Sequence, residues 1–213
     1  QKIVVINKPG ATGVVATAEV VKAKPDGYTL VANTDTPITR APHFRDLDYD
    51  PFRDLTHITR VGRFKLVVYI RADSPLKTWR DVVEWAKKNP GQLTFGHPGA
   101  ASTPSLVMTK IAAKEGLAVR GIPFAGDAPM VTALLGGHVV LAGGSSVSAS
   151  SYAQAKRIRI LLVNEKEGLE YAPDAPSFER AGYDVESATS VIIFGPKGIP
   201  RPVAERLETA FVE

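Results

Sequence analysis

Cysteine is absent from this chain of 213 residues, which excludes disulfides, thiolate metal sites and cysteine nucleophiles. No apolar run approaches the roughly 20 residues that a membrane-spanning helix needs. The formal net charge is only +4, and no dense basic run or basic stripe interleaved with aromatic residues occurs, so nucleic acid is not expected as a partner. The lack of cysteine is equally compatible with the cytoplasm and the periplasm.

The common enzymatic motifs are lacking too. Neither G-x-G-x-x-G, G-x-x-x-x-G-K-[ST] nor H-E-x-x-H is present. The run G-S-S-V at 144–147 lacks the second glycine of a nucleophile elbow. The four histidines, at 43, 57, 97 and 138, are well separated along the chain. We therefore predict no catalytic residue, no cofactor and no metal site.

Short apolar segments alternate with helical patterns, which is typical of an α/β protein with a parallel sheet. Residues 37–62 are predicted to be irregular, and 176–181 a short helix. The carboxyl edge of a parallel sheet is where ligands usually bind, so the loops 7–13, 34–37, 97–103, 126–128 and 143–148 are candidate binding loops. The predicted strands are 2–6, 28–33, 64–70, 93–96, 119–124, 138–142, 158–163 and 189–194.

The most informative stretch is T-F-G-H-P-G-A-A-S-T-P-S-L at 94–106. It predicts the end of a strand, a loop of small residues and the start of a helix, with Ser102 or Thr103 as the cap and Pro104 at the first helical position. Small residues let a ligand approach the backbone, and the unpaired N–H groups of a helix N-terminus suit an anion. We expect backbone N–H and hydroxyl groups at Ala101, Ser102 and Thr103 to bind a carboxylate.

Several further residues are candidates, each with a structural alternative. His97 either contacts an anion or is a turn residue before proline. Asp127 either caps its helix or accepts a hydrogen bond from a ligand amine or hydroxyl. Ser145 and Ser146 either line a binding site or are ordinary loop serines.

Six groups of short motifs run in order along nearly the whole chain. They are N-K-P-G-A-T-G at 7–13, P-D-G-Y-T-L at 25–30, Y-D-P at 49–51, S-T-P at 102–104, P-F-A-G at 123–126 with L-L-G-G-H-V at 134–139, and P-D-A-P at 173–176. Each motif is weak alone, but the ordered set resembles that of the Bug-type proteins, the periplasmic solute receptors of tripartite tricarboxylate transporters, such as TctC-like receptors.

The resemblance implies an α/β, periplasmic-binding-protein type II fold with two lobes hinged around a central cleft. Domain 1 is expected at 1–67 plus 190–213 and domain 2 at 68–189. The loop carrying Thr34, Asp35 and Thr36 is expected to complete the binding pocket. Family members carry a further βα unit of roughly 30 to 40 residues before Lys2, so a signal peptide and this unit are expected to be missing from the chain as given.

This chain departs from the family at several positions. His97-Pro98 stands where small polar residues are usual, Val140 where Asp is common, and Ser105 where His is frequent. The second domain is thus less acidic than usual at the site, which favours a plain or aromatic carboxylate over an amino acid.

The resemblance leads to the expectation of a monomeric periplasmic solute-binding protein that captures a small organic carboxylate, a dicarboxylate or an aromatic acid, and delivers it to a membrane permease. Two alternatives stay open: an α/β enzyme acting on a small organic acid, and a receptor that reports ligand to a sensor protein.

Overall fold

The computed structural model describes residues 2–166, 168–185 and 189–212. The chain divides into two compact units: unit 1 comprises Gln1–Arg63 and Ser190–Glu213, and unit 2 comprises Phe64–Thr189. The predicted lobes with their hinge and cleft stay a prediction. None of the helices in the described ranges is long and apolar enough to span a membrane.

Unit 1 is built on a three-stranded sheet, in which the strands lie in the order β1 (Val31–Thr34), β8 (Thr189–Pro196) and β2 (Leu55–Phe64). β1 and β8 are antiparallel. Val20, Val31, Ile38, Leu55 and Phe194 form a small core between this sheet and the helices α1 and α2. The elements are α1 (Val14–Val21), β1 (Val31–Thr34), α2 (Thr36–Thr39), β2 (Leu55–Phe64), β8 (Thr189–Pro196) and α7 (Arg201–Val212). A short 3-10 helix, Ala11–Gly13, precedes α1, and another, Ala41–His43, follows α2.

Three predictions for unit 1 are wrong. Residues 2–6 form no strand, and the side chains of Ile3, Val4, Val5 and Ile6 are 70–81% exposed, because no described strand hydrogen-bonds to them. The stretch 37–62 is not irregular but contains β2, whose buried Leu55 and Ile58 are three residues apart and so do not show the alternation typical of a strand. The polar loop expected at 34–37 is the end of β1 followed directly by α2.

Unit 2 has a five-stranded sheet. Its strands lie in the order β5 (Val119–Pro123), β4 (Leu93–His97), β6 (Leu141–Ser145), β3 (Leu66–Arg71) and β7 (Ile158–Val163). β4 is parallel to β5 and β6, whereas β3 is antiparallel to β6 and β7. The elements are β3 (Leu66–Arg71), α3 (Trp79–Lys88), β4 (Leu93–His97), α4 (Thr103–Glu115), β5 (Val119–Pro123), α5 (Asp127–Leu135), β6 (Leu141–Ser145), α6 (Ser146–Gln154) and β7 (Ile158–Val163).

The sheet of unit 2 is therefore mixed, whereas the alternation of strands and helices predicts a parallel sheet. β3 pairs with β6 and β7, which are distant in the sequence, and the pairing rather than the alternation of strands and helices sets its direction. The predicted strand 64–70 is interrupted at Lys65, and the predicted helix 176–181 is a series of turns with one bridge from Val163 to Ser177.

Helices cover both faces of the sheet of unit 2. On one face, Phe95 and Leu141 lie in a core with Val83 of α3 and Val107 of α4. On the other face, Tyr69 and Val67 lie in a core with Met130 of α5 and Ala149 of α6. Because helices cover both faces of the sheet, the polar groups of this unit that could contact a ligand lie mainly at the ends of the strands.

Candidate functional site

One edge of the sheet in unit 2 collects most of the predicted site residues. β4, β5 and β6 run in the same direction, so their carboxyl ends at His97, Pro123 and Ser145 meet at the same edge. Each strand is followed by the start of a helix, namely α4, α5 or α6. Seven of the ten predicted residues lie at or just after these strand ends: His97, Ala101, Ser102, Thr103, Asp127, Ser145 and Ser146.

The first turn of α4 is not capped by a side chain. Ser102 occupies the position before the helix, but its hydroxyl donates backwards to the carbonyl of Gly99 at 2.6 Å. The N–H of Leu106 bonds to the Ser102 carbonyl, and no acceptor among the described residues takes the N–H groups of Thr103 and Ser105. We call these two free N–H groups the open helix end. Ser102 is the N-cap residue, as predicted, but its side chain makes no capping hydrogen bond, because the hydroxyl is turned back towards the Gly99 carbonyl.

The hydroxyl of Thr103 is held by a residue that the sequence did not identify. Its Oγ1 lies 2.5 Å from the Oγ1 of Thr189, which is the last residue of unit 2 and the residue at which β8 begins. The two residues are 86 positions apart, and no local pattern around Thr189 marks it. Ala101, beside them, is buried, so it can offer a ligand only its backbone.

His97 is enclosed and not presented to solvent. The residue is 5% exposed, and its ring stacks on Phe95 with the centroids 6.1 Å apart. Its Nδ1 accepts a hydrogen bond from the N–H of Gly99 at 3.2 Å. Burial lowers the pKa of the imidazole. These contacts favour the turn-shaping interpretation of His97 over direct contact with an anion.

Asp127 connects two of the three strand-to-helix junctions. It is the first residue of α5, and its Oδ2 accepts from the N–H of Ser145 at 3.3 Å instead of capping its own helix. A Cβ on Gly144 would lie 2.9 Å from the Asp127 Oδ1, so only glycine lets the carboxylate lie this close to β6. The carboxylate thus already serves a structural purpose.

The serines after β6 start a helix and do not form the loop predicted at 143–148. Ser145 caps α6 by accepting from the N–H of Val147 at 3.2 Å. Ser146 is buried; its N–H donates to the carbonyl of Lys65 and its own carbonyl accepts from the hydroxyl of Tyr171. The N-terminus of α6 is thus occupied by the protein's own groups.

The three remaining predicted residues belong to unit 1. Thr34 ends β1, and Asp35 lies between β1 and α2. The Asp35 Oδ1 is 2.5 Å from Nη2 of Arg40, which also donates to the hydroxyl of the buried Thr36. The carboxylate and hydroxyl expected to complete a pocket are therefore both engaged by Arg40.

A cavity of about 1030 Å³ lies elsewhere in unit 2, lined among others by Trp79, Lys87, Arg159 and Tyr183. None of the predicted site residues is among those that line it. Within the described part of the chain, no group of three or more His, Asp or Glu side chains is arranged to hold a metal ion.

Comparison with known proteins gives consistent matches. A family model described as "Tripartite tricarboxylate transporter family receptor" matches residues 1–213. A relative from Cupriavidus necator, called "UPF0065 protein in gbd 5'region", is 34% identical over 212 residues, which cover 99% of this chain and 64% of that protein. The chain thus spans just under two thirds of the length of this curated relative.

Two solved structures superpose closely. The R. palustris protein Rpa4515 with adipate has a TM-score of 0.92 at 25% identity, covering 99% of this chain and 71% of that one. The periplasmic binding protein BugD has a TM-score of 0.90 at 26% identity, covering 98% of this chain and 70% of that one. These matches confirm the predicted resemblance to Bug-type receptors and the α/β, periplasmic-binding-protein fold class.

Proposed function

Because this chain belongs to the family of tripartite tricarboxylate transporter receptors, we propose that it binds a small organic carboxylate in the periplasm and delivers it to a membrane permease, without transforming it. The family is one of receptors and not of enzymes. The adipate in the structure of the R. palustris protein supports a dicarboxylate as the ligand.

The single observation that carries this proposal is the open helix end of α4. Two N–H groups point out of a helix N-terminus with no acceptor among the described residues. Such a terminus carries roughly half a positive charge and favours an anion. Each oxygen of a carboxylate can accept from one N–H, and the Thr103 hydroxyl lies on the same turn.

The contrast with neighbouring groups supports the assignment. The Asp127 side chain accepts from the Ser145 N–H. Ser145 caps α6, and the Ser146 N–H donates to the carbonyl of Lys65. We therefore assign the ligand contact to the N–H groups of Thr103 and Ser105 in unit 2, whereas the N–H and the hydroxyl of Ser102 already donate to the Gly99 carbonyl. Asp127, Ser145 and Ser146 support the edge of the sheet that carries this turn.

Isothermal titration calorimetry tests the proposal. The chain is titrated with adipate, succinate and benzoate, with the neutral adipamide as the control, after circular dichroism has verified folding. We expect saturable binding of at least one acid and none of adipamide. A folded sample that binds none of the acids contradicts the proposal. Recovery of the bound acid unchanged after long incubation separates a receptor from an enzyme.

A variant of Ser105 tests the location of the site. Ser105→Asp places a carboxylate in the first turn of α4, where it stabilises the helix by about 0.3–1 kcal/mol and competes with a bound anion. We expect the melting temperature to rise and the affinity for the acid to fall about tenfold or more. Ser105→Asn has nearly the same shape without the charge and should change the affinity much less. Equal effects of the two variants on affinity would place the anion elsewhere.

A further inference from the structure

His97 begins the loop that leads to the open helix end. It is the last residue of β4, Pro98 follows it, and Ser102 precedes the helix five residues later. Since Pro98 has no N–H, the first backbone donor after His97 is that of Gly99, and this N–H bonds to the Nδ1 of His97. Gly99 in turn accepts from both the N–H and the hydroxyl of Ser102 through its carbonyl.

Each of these hydrogen bonds positions the residue that forms the next one. The imidazole fixes the peptide before Gly99, Gly99 fixes Ser102, and Ser102 immediately precedes the two free N–H groups. The hydrogen bond from the Gly99 N–H to the His97 side chain, two residues earlier, has the form of an Asx turn. In such a turn the acceptor is usually the side chain of Asn or Asp. Here a histidine provides it, and only its unprotonated Nδ1 can accept.

The ring has little room to move. The residue is 5% exposed and its ring stacks on Phe95. Its Nε2 lies so close to Gly121 of β5 that an added Cβ there would be 3.0 Å away. The ring therefore cannot rotate freely to present another nitrogen to Gly99.

Within the described ranges, no charged side chain of β4, β5 or the first turn of α4 lies on the same side of the sheet as the imidazole. On its face of the sheet β4 carries Leu93 and Phe95, and β5 carries Val119, Gly121 and Pro123, while Arg120 lies on the opposite face. The loop and first turn of α4 carry no ionisable group, and Lys110, Lys114 and Glu115 are in its later turns. Asp127 starts α5, which packs on the other face of the sheet. Protonation would thus leave a buried cation without a partner.

We propose that His97 is a positioning residue that makes carboxylate binding depend on pH: its neutral ring holds the loop 98–102 in the conformation that presents the open helix end, and protonation of Nδ1 releases the loop. The inference rests on the proposed function. Since the environment favours the neutral ring in the folded state, the contribution of this bond is present at neutral and higher pH and is lost as the pH falls below the ordinary range of histidine.

The test measures the affinity for adipate between pH 8 and pH 5.5 in the wild type and in two variants. His97→Asn keeps an acceptor at the same distance along the side chain and does not titrate, whereas His97→Leu has no acceptor. We expect the wild type to lose about fivefold to tenfold in affinity over this range, which is the contribution of one hydrogen bond. His97→Asn should keep the affinity of pH 8 to within about threefold throughout, and His97→Leu should bind weakly at both ends. Because adipate also titrates near pH 5.5, each comparison is made with His97→Asn at the same pH.

A second readout does not need a ligand. In the ¹⁵N–¹H NMR spectrum of the free chain, the Gly99 amide signal should shift with the titration of His97 in the wild type and should not shift in His97→Asn. The control is His138→Asn, which removes an exposed histidine of the same unit. It should leave the shift of the Gly99 signal unchanged. If Gly99 does not titrate, the inference is overturned even where acids bind. If wild-type affinity rises at low pH relative to His97→Asn, attraction by the imidazolium governs binding and the inference is likewise overturned. If no acid binds at pH 8, the proposed function fails and the coupling with it, while the Gly99 titration still decides whether His97 controls the loop.

Discussion

The N-termini of α3 and α4 differ although both begin at a Ser or Thr. At α3, Thr78 accepts from the N–H of Asp81 at 3.1 Å and Asp81 accepts from the N–H of Thr78 at 2.8 Å, a complete capping box. At α4, the Ser102 hydroxyl bonds to Gly99 and leaves two N–H groups without an acceptor in the described chain. The first helix satisfies its own end, and the second keeps its end available for something else.

The difference teaches that a capping residue type is not the same as a cap. The Thr78 hydroxyl accepts from the first turn of its helix, whereas the Ser102 hydroxyl is turned back to the carbonyl of Gly99. A helix end left unsatisfied costs stability unless water or a ligand supplies the acceptor. We therefore expect changes at α3 to affect stability alone and changes at α4 to affect binding.

The largest effect is expected for Gly143→Ala, which should displace the open helix end and so remove the difference between the two helix N-termini. A Cβ on Gly143 of β6 would lie 2.5 Å from Cζ of the buried Phe95 and 3.1 Å from Cβ of Pro104. Gly143→Ala should therefore lower the free energy of unfolding by about 2–3 kcal/mol, measured by urea denaturation. Gly62→Ala is the control, since no atom lies within 4 Å of its added Cβ. A loss below about 0.5 kcal/mol at Gly143 would mean that the first turn of α4 is not tightly packed against β6.

The next effect tests whether the hydroxyl groups at α4 serve binding. The double change Ser102→Ala with Thr103→Ala removes the bonds to Gly99 and Thr189. We expect the affinity for adipate to fall about tenfold, with a loss of about 1 kcal/mol in unfolding free energy.

The matched control for this double change is Thr132→Ala with Ser150→Ala. It removes two exposed hydroxyls that bond to carbonyls of their own helices. Calorimetry that finds undiminished affinity in the Ser102/Thr103 variant would show that these two hydroxyls do not serve binding.

A smaller effect is expected at α3. Thr78→Ala should lower the free energy of unfolding by about 1 kcal/mol, the usual contribution of an N-cap, and leave the affinity for the acid unchanged. Thr78→Ser keeps the hydroxyl and should restore most of the loss. A change in affinity in Thr78→Ala would contradict the separation of roles between the two helix ends.

The smallest effect is the acid dependence of the same cap. The backbone N–H groups of Thr78 and Lys77 lower the pKa of Asp81. A lowered pKa in the folded state means that the stabilisation is present above the ordinary pKa, near 4, and is lost as the pH falls through the lower folded value. The difference in melting temperature between wild type and Asp81→Asn should therefore shrink from pH 5 to pH 2. Asp174→Asn, which removes an exposed carboxyl group outside the capping box, is the control.

Much of the local structure could be predicted from the sequence. The capping box of Thr78 and Asp81, the strand before His97 and the stop at Gly116 are confirmed, since each depends on residues close together in the chain. The strand predicted at 2–6 and the loop predicted at 34–37 are wrong for the opposite reason. A strand needs a partner from elsewhere, and α2 is held by Arg40 contacts that no local pattern announces.

By itself, the sequence determined the capping box at Thr78 and the helix end at Gly116, which helix begins with small residues at 99–103, and which family its ordered motifs resemble. These features follow from residue types at short spacing. Only the tertiary structure decided that Ser102 turns its hydroxyl to Gly99, that Thr103 meets Thr189, and that His97 is buried between Phe95 and Gly121. Hydroxyl groups and rings contact whichever groups the fold brings nearest to them. The pairing of strands that are far apart in the sequence decides which groups those are.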